Sequence, residues 1–469
     1  MTPTPRTASA LHCAAASLLL GSALLAACTA PGGGTRSDLA AAPVPPTTPA
    51  PAPVSRAAVT DVAATAGTGA LAGATTPVRR SAAAATAVPA ASTPAPRPQD
   101  LVAPAPLRFE DAVARAGGQL IAQAGALLGN EARVVVIDPL IDANTGAQTV
   151  STARMGEQLA TLVKAGRANW QVQALTRQTL AQQPLLLIGT LTPVNINRSI
   201  DAVPDAFRVW LSLIDLRTGR VVAKQLDRAT TDSVNPEPLK FYADSPTWHK
   251  DRTVLGYVNS CQVNTAIGDP ADPDYLARLP AAALVNEAIM AYGAGRLPAA
   301  QQLYQEAAVL ADPGDLRVLN GLYLTNWQLG KHDAARDAFE RLVASGLDLK
   351  RLPVKLLFKP GGTAFNAVGD LPQQYQVWIK ALAQELGKAR ACVRVVGHTS
   401  RTGSARTNEL LSRQRAESVM GQLARDNRSL GTRLSASGVG SREALVGLGT
   451  DDLRDALDRR VEFRVVDCV

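Results

Sequence analysis

Between Gly397 and Arg415 the chain places glycines, hydroxyls, an amide and a guanidinium at intervals suited to holding an anion. The run reads Gly397-His398-Thr399-Ser400-Arg401-Thr402-Gly403-Ser404, followed by Asn408, Ser412 and Arg415. Ala416, Val419, Met420 and Leu423 recur at helical spacing. Asn408 and Ser412 are therefore expected to flank the start of a helix, whose free N–H groups and positive dipole end favour a carboxylate. Arg415, in the first turns, adds a planar fork able to take that carboxylate through two parallel bonds. Gly397, Gly403 and Asn408 also suit turns, because Gly and Asn tolerate positive φ. His398 reads as a packing residue of the loop rather than a catalyst. Nucleophile elbows, P-loops, dinucleotide fingerprints and HExxH pairs are missing from the sequence, so no catalytic residue and no enzyme activity are expected. Four scattered histidines and five cysteines without a CxxC pair leave little material for a metal, and no metal or cofactor is expected.

The elements that would position this run follow from local periodicity. Lys355 to Phe358 reads as a first strand, and Tyr375, Trp378, Ile379, Leu382 and Leu386 form a helical stripe. Val393 to Val396 reads as a second strand and Val461 to Val466 as a last one. Charge is concentrated in the same region. From Arg351 onward there are 19 Lys and Arg against 12 Asp and Glu, a net +7 of the whole chain's +8.

At 469 residues the chain is long enough for roughly three domains. A weakly basic start with Arg6 and an apolar run from about Leu11 to Ala27 read as a secretory signal over 1–27. Residues 28–106 are Ala, Pro, Thr and Gly with few charges, a composition that cannot offset the entropy of ordering and reads as a disordered linker spanning on the order of 50 Å. Over 107–250, helix and strand patterns alternate. Phe109 to Leu128 and the Met155, Leu159, Leu162, Val163 stripe read as helices, Val134 to Ile137 and Leu185 to Ile188 as strands, and Val209 to Ala223 as a hairpin turning at Arg217-Thr218-Gly219. The expectation is an α/β sandwich, with Asp138, Asp142 and Asn144 in a solvated loop. Residues 251–280 read as a connector. Over 281–350, Gly295, Ala300 and Tyr304 recur as Gly330, Ala335 and Phe339, each 35 positions on. The overall fold class is α+β and multi-domain.

Several of these runs carry family resemblances. Leu25-Ala26-Ala27-Cys28 resembles the bacterial lipobox, which implies that Cys28 becomes a lipidated N-terminus. Thr29, in place of the Asp that retains many such lipoproteins in the inner membrane, points to the outer membrane, with the body facing the periplasm. Element order in 107–250 is similar to the α/β domains of curli-assembly-type, flagellar FlgO-type and TolB amino-terminal proteins. The 35-residue recurrence resembles the tetratricopeptide pattern, and two such units are expected to lean on a neighbouring domain. They serve either as a helical spacer or as a groove for a partner peptide.

The Gly397 to Val419 run, with Arg459-Arg460-Val461-Glu462-Phe463, closely resembles the OmpA-like peptidoglycan-binding domain over 352–469. That resemblance implies a βαβαββ fold. It also implies a site in which the arginine matched by Arg415 holds a carboxylate of diaminopimelate, while an aspartate after the His-Thr pair holds its ammonium group. Ser400 occupies that aspartate's position, and a serine retains only a hydrogen bond to an ammonium. Gly397, Thr399, Ser400, Gly403, Asn408, Ser412 and Arg415 are the expected peptidoglycan-binding residues. Because the second and last strands neighbour each other in this fold, Cys392 and Cys468 are expected to form a disulfide, leaving Cys261 unpaired.

Behind an export signal, the polyanions available to the basic C-terminal region are anionic lipids, lipopolysaccharide and the carboxylated stems of peptidoglycan, and no nucleic acid partner is expected. The expected function is an outer-membrane lipoprotein that tethers the envelope to the cell wall. The alternative is an assembly or regulatory factor that recruits a periplasmic protein through its α/β and helical-repeat domains.

Overall fold

The computed structural model describes residues 105–195, 203–262, 264–350 and 352–468. The signal segment, Cys28 and the Ala/Pro-rich linker up to residue 104 lie outside the described residues.

The first part is built on a five-stranded sheet. Helix α1 (Phe109–Leu128) carries Glu110 and Asp111 in its first turn, where acidic groups complement the helix dipole. Helix α2 (Val150–Gly166) begins at a reciprocal cap between Thr149 and Thr152. Strands β1 (Arg133–Ile137), β2 (Trp170–Gln173), β3 (Leu185–Val194), β4 (Ala206–Asp215) and β5 (Arg220–Thr230) lie in the order β2-β1-β3-β4-β5, and a short helix α3 (Arg177–Leu180) follows β2. The β1 pairings are parallel and the β3–β4–β5 pairings antiparallel. α1 and α2 cover one face through Val113, Leu120, Met155 and Leu159.

The other face is covered from within the stretch read as a connector. After α4 (Lys240–Asp244) run α5 (Arg252–Cys261) and α6 (Pro273–Gly293). Their Val254, Tyr257, Tyr275 and Leu279 pack on Val136, Leu186, Ile188 and Trp210 of the sheet. α6 starts at Pro273 because Asp272 caps it, accepting from the Tyr275 N–H, with proline at the first helical position where its missing donor costs nothing. With both faces covered, β3 is buried from Leu185 to Thr192, which explains the apolar run Leu185–Ile188 at its start. Asp138 and Asp142 are also buried, so the solvated-loop reading is corrected. Asp138 accepts from the Tyr275 hydroxyl at 2.6 Å, and Asp142 receives the N–H groups of Asn144 and Thr145 and the Thr145 hydroxyl.

Two antiparallel helical hairpins follow: α6 with α7 (Leu297–Leu310), and α8 (Leu316–Gln328) with α9 (His332–Asp348). The recurring residues take matching places. Gly295 and Gly330 both have φ of +72° in the tight turns, and Ala300, Ala335, Tyr304 and Phe339 are buried. The hairpins lean on neighbours. Tyr304 stacks on Phe241 of α4, and Phe339 stacks on Trp378 of the next helix, with ring centroids 6.0 Å apart in each pair. Trp378 also donates its indole N–H to the Tyr323 hydroxyl at 2.6 Å.

The C-terminal part runs β6 (Lys355–Leu357), α10 (Leu371–Ala389), β7 (Cys392–Gly397), α11 (Ala405–Asp426), β8 (Leu434–Gly438) and β9 (Arg460–Val466), a βαβαββ order in a β6-β9-β7-β8 sheet. The helical stripe from Tyr375 to Leu386 is buried as expected. β7 pairs with β9 with Cys392 opposite Val466, and the Cys392–Cys468 disulfide links the start of one central strand to the chain just past the other. Cys261 is free and buried, its thiol pushed up to about 12 by burial. The segment 246–248 adds a short pairing to the start of this part. Thr247 bridges Val354, and the Lys355 ammonium donates to the Thr247 carbonyl at 2.8 Å while lying 4.8 Å from the Trp248 ring centroid. One apolar core therefore runs from Phe241 through the hairpins to Phe463.

Candidate functional site

The loop after β7 is shaped by close backbone approach. A Cβ at Gly397 would lie 1.8 Å from the Ser412 carbonyl oxygen, so glycine is what allows α11 to rest directly on β7. His398 N–H then donates to the Arg460 carbonyl and Thr399 N–H to the Gly440 carbonyl. Gly403 turns the chain at φ +85°, and Ser404 caps α11 by accepting from the Thr407 N–H. Asn408 and Ser412 fall one and two turns inside the helix instead of flanking its start. Both are buried, and their bonds hold loops. The Asn408 amide donates to the carbonyls of Ser400 and Thr402 at 3.3 and 3.0 Å, and the Ser412 hydroxyl donates to Glu409 and accepts from the Gly440 N–H. Thr399 is also buried, and its hydroxyl has no hydrogen-bond partner among the described residues.

Arg415 points inward. It is 1% exposed, and its guanidinium donates from Nε to Gly362, from Nη1 to His398 and from Nη2 to Lys359, each to a backbone carbonyl at 2.9 Å. The cation lies 5.2 Å from the Phe358 ring centroid. Its helix neighbours do not neutralise it, since Glu409 pairs with Arg442 and Glu417 with Arg413. Burial and the nearby Arg459 lower its pKa to about 10, against the opposing charge of Asp451, so the group stays protonated at neutral pH. Three of a guanidinium's five N–H groups are used in these bonds, and no carboxylate shares them. A buried cation bonded only to neutral oxygens favours an anionic neighbour.

Ser400 supplies a link that sequence reasoning missed. It is 4% exposed, and its hydroxyl donates to Asp451 Oδ1 at 2.8 Å. The same oxygen receives Arg459 Nη1 at 2.9 Å. Asp451 takes a left-handed φ of +58°, one that Asp tolerates better than most residues. Two buried carboxylates fix its loop. Asp455 accepts the N–H groups of Leu448, Thr450 and Asp451, and Asp458 those of Leu445, Val446 and Gly447. The sequence signal was the series Asp451, Asp452, Asp455, Asp458 after a glycine-rich stretch, a pattern typical of carboxylates capping a turn.

His398 sits behind the loop, buried, with Nε2 3.2 Å from Glu462 and Nδ1 4.0 Å from Glu443. Burial lowers its pKa to about 4, so the imidazole is neutral at pH 7. The three groups lie close enough to share a cation. Arg460 already pairs with Glu462, and Arg464 with both glutamates, so a divalent ion would face two guanidiniums.

Residues 358–456 match the OmpA family, a span that ends before Arg459. The chain is similar to the peptidoglycan-associated lipoprotein from Burkholderia pseudomallei, at 24% identity over 24% of this chain and 89% of that one, with a TM-score of 0.20. It is similar to the cell wall anchor of the T6SS from Pseudomonas aeruginosa, at 23% identity over 27% and 95%, with a TM-score of 0.21. The periplasmic domain of Helicobacter pylori MotB (residues 90–256) matches at 22% identity over 24% and 69%, with a TM-score of 0.20. No curated protein matches the chain.

Proposed function

We propose that the OmpA-like domain binds the stem peptide of peptidoglycan and that the chain, lipidated at Cys28 in the outer membrane, ties the envelope to the cell wall. The observation carrying this reading is the buried, protonated Arg415, bonded only to carbonyls and set inside a span that matches the OmpA family. One N–H on each terminal nitrogen is left for a carboxylate of diaminopimelate. At 1% exposure the guanidinium meets a ligand only when its cover yields, and the carbonyls of that cover, Lys359, Gly362 and His398, all lie outside helix and strand. Gly397, Gly403, Asn408 and Ser412 would act by holding the loop, and Thr399 and Ser400 by lining it.

The test is co-sedimentation of the full chain with purified sacculi. The expected result is retention that free diaminopimelate competes away and that falls at high salt. Retention indifferent to diaminopimelate, or no retention, would overturn the reading. In the competing reading the chain recruits a protein through its α/β and helical parts. It predicts a defined crosslinked partner in intact cells that persists in an Arg415→Lys variant.

A further inference from the structure

The site carries a positive group for a ligand carboxylate, while Ser400 stands where the family resemblance expects a negative one. The structure brings a carboxylate to that place from a different loop. Asp451 lies one hydrogen bond from Ser400, which stands two residues after His398, whose carbonyl Arg415 bonds. Both of its side-chain bonds, from Ser400 and Arg459, fall on Oδ1. The side chain keeps 33% of its surface exposed, whereas Arg415, Ser400 and Arg459 beside it are buried. The turn that presents it is held by three N–H bonds to Asp455 and carries the left-handed φ at Asp451 itself.

We propose that Asp451 is the specificity-determining carboxylate of this site, receiving the ammonium group of a ligand whose carboxylate meets Arg415. The ligand class is an amino acid end bearing ammonium and carboxylate on one carbon, as at the free end of diaminopimelate. Ser400 then acts as a positioning residue, orienting Asp451 through its hydroxyl. Arg459 fixes the same oxygen from the other side, so the carboxylate enters the complex already oriented. This inference rests on the peptidoglycan reading.

The experiment measures binding of the full chain to two muropeptides, one ending in diaminopimelate with a free amine and one with that amine acetylated. The variants are Asp451→Asn, which tolerates the same left-handed backbone, and Asp451→Asn combined with Ser400→Asp. Thermal unfolding of each variant reports folding. The expected result is that Asp451→Asn weakens binding of the free-amine ligand by about tenfold or more, the effect of losing a charge-assisted contact. Binding of the acetylated ligand should not change, and Ser400→Asp should restore much of the loss. Equal weakening for both ligands would assign Asp451 to loop structure and overturn the inference. Wild-type affinity in Asp451→Asn, with diaminopimelate still competing, would overturn it while leaving peptidoglycan binding intact. Failure of the wild-type chain to bind either ligand would remove both.

Discussion

Replacing Arg415 tests whether its guanidinium is a structural clamp as well as a ligand group. Arg415→Met keeps most of the aliphatic volume and removes the three bonds to Lys359, Gly362 and His398. A hydrogen bond to a charged group contributes about 1.5–3 kcal/mol, so the gross loss is roughly 4–9 kcal/mol. Part is returned, because the variant no longer holds a desolvated cation, a penalty of several kcal/mol in a protein interior. The net expectation is a loss of about 2–5 kcal/mol in unfolding free energy. Arg415→Lys, which keeps the charge but not the fork, should fall between the two. Urea unfolding followed by tryptophan fluorescence reads the change, since Trp378 is buried in α10, the helix before β7. A loss below about 1 kcal/mol would refute the clamp and imply that the three carbonyls find other donors. If the clamp holds, a variant at 415 that no longer binds cell wall has lost loop structure along with a contact, so changes to the ligand give the cleaner test.

Cys392→Ala opens a cross-link spanning 76 residues and should cost about 4.5 kcal/mol in the chain-entropy model, read as a lowered urea midpoint that matches the reduced wild type. Trp378→Ala should cost about 3–5 kcal/mol, and it should separate unfolding of the hairpins from that of the C-terminal part, seen as a second transition. Gly397→Ala cannot keep α11 on β7, so the soluble yield or thermal midpoint should fall sharply, whereas Gly421→Ala, whose Cβ would meet only the Arg425 guanidinium at 3.7 Å, should be neutral or stabilising. Burial lowers the Lys355 pKa from 10.5 to about 7, so the fold disfavours its charged form. The unfolded chain binds the extra proton between these values, and wild-type stability should rise relative to Lys355→Met as pH goes from 7 to about 10. A constant difference across that range would contradict the shift.

The β7–loop–α11 unit was legible because its chemistry is local. A strand, a glycine forced by contact and a capped helix are specified within thirty residues. The Cys392–Cys468 pairing followed from the strand order that the family resemblance implied. What escaped was non-local. Nothing in the spacing of Arg415 says that carbonyls 53 and 56 residues earlier will take its donors. Asp451 reaches Ser400 across 51 residues, through a turn whose shape depends on Asp455 and Asp458. α5 and the first turns of α6 fall within 251–280, the stretch read as a connector. Their role became plain only with the second face of the sheet in view. Asp138 and Asp142 look solvated in sequence, and they are buried because Tyr275 and Thr145 satisfy them.

The most direct measurement of the central claim alters the ligand alone. Titration calorimetry of the full chain against a diaminopimelate-terminated stem peptide, and against the same peptide with that residue's carboxylate amidated, isolates the group that Arg415 would receive. The account predicts at least about tenfold weaker binding of the amidated peptide, the worth of one charge-assisted contact. Equal affinity for the two peptides, or binding of neither, would contradict it.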